Sequence, residues 1–126
     1  MLAQVPQTAA AQSVEADEAA RLEEFAPGVP RKGTPGLALP KLLKSFQPKY
    51  TSAALRAKIE GTVVMHAIVG VDGRIEKSAV WRSLHEELDA QALSTLSEWK
   101  FEPGRLNGAP TRVAVEVEMM FRVHKD

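Results

Sequence analysis

Arg112-Val113-Ala114-Val115-Glu116-Val117-Glu118-Met119-Met120-Phe121-Arg122-Val123 changes character every second residue. Val113, Val115, Val117, Met119, Phe121 and Val123 fall on one side of an extended chain, and Arg112, Glu116, Glu118 and Arg122 on the other. That is the pattern of a half-buried antiparallel strand, which needs other elements to bury its apolar row against. Residues upstream supply them. Thr62 to Val71 is β-rich through Val63, Val64, Ile68 and Val69. Asp72-Gly73 reads as a hairpin turn, and Arg74 to Ser83 as the return strand carrying Ile75, Val80 and Trp81. Leu88, Ala92, Leu96 and Trp99 recur at helical spacing, with Asp89 in the first turn, where the helix dipole favours a carboxylate. Asn107-Gly108 marks a tight turn. Further upstream, Thr51 can cap a helix from Ser52 to about Ile59, with Gly61 placed to end it.

These elements leave few topologies. The hairpin pairs the first two strands antiparallel, and the helix then crosses over to bring the last strand beside the first. The expected fold class is α+β: a three-stranded antiparallel sheet of order 2-1-3 with a β-β-α-β core, a short preceding helix and a covering helix. The last strand is then an edge with unpaired N–H and C=O groups along its outer side. Such an edge must be either protected or used.

A chain of 126 residues is enough for one small core. Hydrophobic content of 44%, charged content of 25% and a formal net charge of zero fit a globular domain with no bulk attraction to nucleic acid. There is no cysteine, which removes disulfides and thiolate metal sites. No run approaches the roughly 20 apolar residues that span a bilayer, so the chain as given is expected to be soluble. Its opening also fits the removal of a signal or a membrane anchor, and an anchor can belong to the native protein. Charge is uneven: Glu15, Asp17, Glu18, Glu23 and Glu24 cluster early, whereas Phe25 to Ile59 holds seven Lys or Arg and no acid. The basic stretch reads as a solvated linker or as a surface steered toward an acidic partner or lipid.

Residues 1–46 form an Ala- and Pro-rich arm and linker. Residues 1–12 are expected to be disordered, and Ser13 to Phe25 to be a short helix capped by Ser13. Pro27, Pro30, Pro35, Pro40 and Pro48 follow, mixed with glycines. That composition predicts an extended, partly stiff segment rather than a helix or a central strand. Leu37, Leu39, Leu42, Leu43 and Phe46 give the segment an apolar strip. On the first strand, Val64 and Ile68 lie on the face opposite Val63, Met65, Ala67 and Val69, with His66 between them. Three accounts fit these residues: tolerated surface apolars, cover from the Leu37–Phe46 strip, or a homodimer through a sheet face or edge. The expectation adopted is that the strip packs on this face.

Chemistry finds little support. His66, His85 and His124 have no ligand-type spacing, so no metal or other cofactor is expected. Glu86, Glu87 and Asp89 suit a helix start better than a catalytic pair. No serine lies in a nucleophile elbow, and no glycine-rich phosphate loop appears. The chain does not read as an enzyme.

Taken in order, Pro48-Lys49-Tyr50, the helix ending near Gly61, Asp72-Gly73, Leu88-Asp89-Ala90-Gln91-Ala92, Trp99-Lys100-Phe101-Glu102-Pro103 and Asn107-Gly108 resemble the C-terminal domain of the TonB energy-transducer family. The family pattern has a second proline after the tyrosine; Thr51 stands there and exchanges an N1 proline for an N-cap. The resemblance implies a TonB C-terminal-like domain over 47–126 that works in the periplasm and passes force on for active uptake. Its partners would be TonB-dependent outer-membrane transporters, whose box segment adds beside the last strand by β-augmentation. Carried over by position, the implied contacts are Gln47, Tyr50, Val113, Val115, Val117, Met119 and Phe121. An inner-membrane proton-driven motor would be reached through a segment not seen in this chain. The alternative is a TonB-like domain serving as a structural or assembly subunit of another envelope or membrane complex.

Overall fold

A computed structural model describes residues 18–123. The expected cap Ser13 and His124 lie outside the described residues. Helix α1 covers residues 18–25, and two short strands follow, β1 (Leu37–Ala38) and β2 (Lys41–Lys44). Next come α2 (Ser52–Arg56), β3 (Gly61–Val69), β4 (Ile75–Arg82) and α3 (Glu86–Leu96). Short strands β5 (Lys100–Glu102), β6 (Gly104–Leu106) and β7 (Ala109–Thr111) lead into β8 (Val113–Phe121).

The central sheet has the order β4-β3-β8 and is antiparallel throughout, the 2-1-3 arrangement expected. Its hairpin turns at Asp72-Gly73, where Gly73 takes φ +81°. The strand β8 pairs with β3 over nine residues, from Gly61 opposite Phe121 to Val69 opposite Val113. On one face, Val63, Met65 and Ala67 of β3 meet Val117, Met119 and Phe121 of β8 beneath Leu88, Ala92 and Leu96 of α3. Ala54 of α2 joins this cluster. The cap of α3 is His85, whose Nδ1 accepts the Glu87 N–H at 3.2 Å. Asp89 adds a second stop by accepting the Leu84 N–H at 3.0 Å. Asn107-Gly108, both at positive φ, closes the two-residue hairpin between β6 and β7.

Two expectations need correction. Gly61 does not end α2. The helix stops at Arg56, and Lys58 at φ 55° takes the left-handed position instead. The Ile59 N–H donates to the Ala54 carbonyl at 3.1 Å and the Lys58 N–H to Leu55 at 3.1 Å, which is a Schellman closure. Gly61 is the first residue of β3. Nor does the strip pack on the second sheet face: Leu42, Leu43 and Phe46 are 47%, 67% and 43% exposed. Its backbone is engaged elsewhere, β1 with β6 and β2 with β5.

The second face is covered all the same. Phe25, Ala26 and Val29, at the end of α1 and just after it, pack on Ile68 and Ala114 beside Ala79 and Trp81. Lys77 Nζ donates to the Phe25 carbonyl at 2.6 Å, and Trp81 Nε1 to Glu18 Oε1 at 2.6 Å. Arg21 lies over the Trp81 ring at 3.8 Å.

Candidate docking edge

The outer side of β8 is the candidate site. Parity along it follows from one hydrogen bond: the Ala114 N–H points outward and donates to the Pro30 carbonyl at 2.9 Å. In an antiparallel ladder outward and inward backbone groups alternate. Val113, Val115, Val117, Met119 and Phe121 therefore exchange their bonds with β3, while Glu116, Glu118 and Met120 present N–H and C=O outward. Among the described residues the only pairing on this side is the parallel bridge of Arg31 with Ala114. No other described strand lies beside the rest of the row.

The residues expected at the site fall in two places. Side chains of Val113, Val117, Met119 and Phe121 are buried, with Val115 half-buried, so these positions shape the strand rather than its free row. Gln47 and Tyr50 meet the C-terminal end of β8. With Pro48, Met120, Phe121 and Arg122 they line a cleft of about 370 Å³. The Tyr50 ring stands edge-on to Phe121 at 5.4 Å, and its hydroxyl donates to the Ile59 carbonyl at 2.8 Å. Burial and then the Glu60 carboxylate push the Tyr50 phenol above its ordinary value, so Tyr50 stays a neutral donor. Gln47 is exposed and Met120 is 56% exposed, a polar and an apolar contact at one end of a free edge.

The other end is closed by residues that sequence reading did not assign to it. Pro30 and Arg31 sit against Ala114, and a second cleft of about 340 Å³ opens beside Ala114 to Val117. His66 lines it, buried, with Nε2 lacking a hydrogen-bond partner and lying 3.6 Å from Glu116 Oε2. The His66 ring packs on Trp81 at 4.4 Å. Burial lowers the imidazole below its ordinary value; Glu116 and Glu18 work against that and Arg21 adds to it. Side-chain alternation was legible from the sequence, but backbone parity was not, because it depends on which residue faces β3. Among the described residues no group of three or more His, Asp or Glu is placed to hold a metal. Nor is any helix among them long and apolar enough to cross a membrane.

A family model described as the Gram-negative bacterial TonB protein C-terminal matches residues 46–123. Protein TonB of Vibrio cholerae serotype O1 is 32% identical over 78 residues, 61% of this chain and 32% of its own length. Protein TonB of Xanthomonas campestris pv. campestris is 31% identical over 78 residues, 61% of this chain and 35% of its own. The match thus takes in about a third of the length of these relatives. The solution NMR structure of the Pseudomonas aeruginosa TonB CTD superposes with a TM-score of 0.54 at 23% identity, covering 79% of this chain and 98% of that one. At that identity the likeness is one of fold.

Proposed function

The chain belongs to the family of Gram-negative TonB C-terminal domains, and from that premise we propose that it is a periplasmic docking module that grips an extended segment of an outer-membrane transporter. The observation that carries this reading is the free row of Glu116, Glu118 and Met120 backbone groups, ending at the Gln47 and Tyr50 cleft. A segment laid along this row gains backbone hydrogen bonds in register, while side chains at the cleft choose among segments. Antiparallel pairing with β3 continues over the whole length of β8, so a pull on the docked segment is shared among many ladder bonds. The work is mechanical and needs no catalytic group. Force transduction would further require a link to an inner-membrane motor.

The experiment is affinity capture of partners from the native cell envelope, with box-like peptides as competitors. Outer-membrane transporters that carry plug domains, displaced by the peptides, are the expected recovery. A second reading is favoured by the Pro30 bond to Ala114, since an edge already part-covered suits a subunit held permanently in an envelope assembly. Recovery of one stoichiometric complex, indifferent to the peptides, would select that reading and overturn the first.

A further inference from the structure

Lys44, Arg74 and Lys100 come from three separate parts of the chain, and backbone pairing sets them in one row. On β2, Lys41 stands opposite Glu102 of β5, an unlike pair of the kind that favours a sheet. At the other end of the same strand pair, Lys44 stands opposite Lys100, and Lys100 bridges in turn to Arg74. Residues opposite one another share a face, so three cations stand side by side across three neighbouring segments. Like charges in that arrangement repel and cost stability. Lysine on an outer strand protects an edge from pairing, which accounts for Lys44 but not for Lys100 and Arg74 behind it.

Local contacts fix the row rather than relieve it. The Phe101 N–H donates to the Gly73 carbonyl at 2.9 Å and Trp99 Nε1 to the Phe46 carbonyl at 3.0 Å, so both neighbours of Lys100 are tied. Lys44 Nζ lies 5.3 Å from the Phe46 ring centre. All three cations are exposed, and none makes an ion pair among the described residues. With Phe46, Trp99 and Glu98 they line a cleft of about 440 Å³; Glu98 is its one carboxylate, which leaves positive charge in excess.

Beside the row the surface is apolar. Leu43 is 67% exposed, more than any other large apolar side chain among the described residues, and Phe46 is 43% exposed. The chain carries no formal net charge, so attraction to an anion must be local. A row of cations next to uncovered leucine and phenylalanine matches the two layers of an anionic membrane surface, phosphates outside and acyl chains beneath. A small anion would answer the charge and leave Leu43 and Phe46 in water.

We propose that Lys44, Lys100 and Arg74, with Leu43 and Phe46, form a contact site for anionic phospholipid. The headgroup phosphates lie on the row of cations, and Leu43 and Phe46 enter the boundary between headgroups and acyl chains. The site shares no residue with the free row of β8 or with the Gln47 and Tyr50 cleft, so it stands whether or not that edge docks a transporter segment.

The test is co-sedimentation of the chain with sucrose-loaded vesicles of phosphatidylcholine, alone or mixed with phosphatidylglycerol. Binding is expected to the mixed vesicles only, and is expected to fall as salt rises. Lys100→Gln should weaken it about fivefold, the scale of one basic residue near an anionic surface. Leu43→Ser should weaken it about tenfold, the scale of burying one large apolar side chain. Arg82→Gln, which removes a cation at the far end of β4 from Arg74, should change it little. Thermal unfolding checks that the variants fold, and Lys100→Gln should unfold no earlier than the parent because it relieves repulsion. Equal binding to both kinds of vesicle, or no binding to either, would overturn the proposal. So would equal losses in Arg82→Gln and Lys100→Gln, which would mark attraction to net charge rather than to the row. Displacement by inorganic phosphate at unchanged ionic strength, with Leu43→Ser binding like the parent, would mark a small-anion site and overturn the lipid contact.

Discussion

Lys58 holds a left-handed backbone at φ 55°, a conformation that costs an L-residue with a Cβ about 1–2 kcal/mol. Lys58→Gly is expected to stabilise the fold by about 0.5–1 kcal/mol, after the added freedom of the unfolded chain is counted, as an upward shift of the urea midpoint. Gly73 behaves oppositely. A Cβ there would lie 1.8 Å from the Phe101 carbonyl oxygen, which is backbone and cannot step aside. Gly73→Ala should therefore cost about 2 kcal/mol or more by the same measurement. The Asp-Gly turn was legible in the sequence, but the approach of β5 that forbids any side chain was not. His66 is the third case. Because its folded imidazole binds a proton less readily than the unfolded one, the unfolded chain protonates first as pH falls. The His66 contribution is thus intact above the ordinary histidine value of about 6.5 and is lost as pH falls below it toward the folded value. In His66→Phe the decline of the urea midpoint across that range should be shallower. An equally steep decline would place the titration elsewhere. Spacing put His66 between Val64 and Ile68, but only the packing against Trp81 showed it buried.

At the scale of elements, α2 and β8 show what local pattern can and cannot decide. Thr51 Oγ1 accepts the Ala54 N–H at 3.2 Å, as an N-cap should, so the start of α2 was readable. Thr51→Ala is expected to cost about 1 kcal/mol in thermal or urea unfolding. Its end was misread because a glycine was the stronger signal, whereas Ile59 packing against the Ala54 cluster draws the chain round at Lys58. For β8, alternation gave the strand and its buried side without any partner. The backbone row needed the partner, and proline substitutions separate the two sides. Val117 bonds with β3 opposite Met65, so Val117→Pro breaks the ladder and should cost more than about 2 kcal/mol. Glu118 presents its N–H outward, where proline is tolerated, so Glu118→Pro should stay folded by circular dichroism while losing the docked segment. Unfolding of both variants alike would mean that the outward parity is wrong.

For the whole molecule, the sheet has two covered faces, and the arm makes the second. Phe25 is buried at 7% exposure among Ala26, Val29, Ile68 and Ala114. Phe25→Ala should then destabilise the entire domain by about 3 kcal/mol, read as a shift of the one unfolding transition. A solvated arm would give no shift. The sequence carried hints of this cover in Phe25 and in the stranded pair Val64 and Ile68, but the strip from Leu37 to Phe46 offered more apolar residues and drew the expectation. Apolar content cannot tell which of two segments reaches a face. Backbone pairing decided it, because β1 and β2 satisfy their hydrogen bonds on β6 and β5 and are held there. By itself, then, the sequence determined the elements of the central sheet and its covering helix, their antiparallel order and the family, since periodicity, caps and turn residues are local and topology allows few joins; the short strands β1, β2, β5, β6 and β7 were not among them. Only the tertiary structure decided which backbone groups of β8 lie free, what covers the second face and where the arm closes the edge. Those features depend on register and on contacts between segments far apart in the chain, which no local pattern encodes.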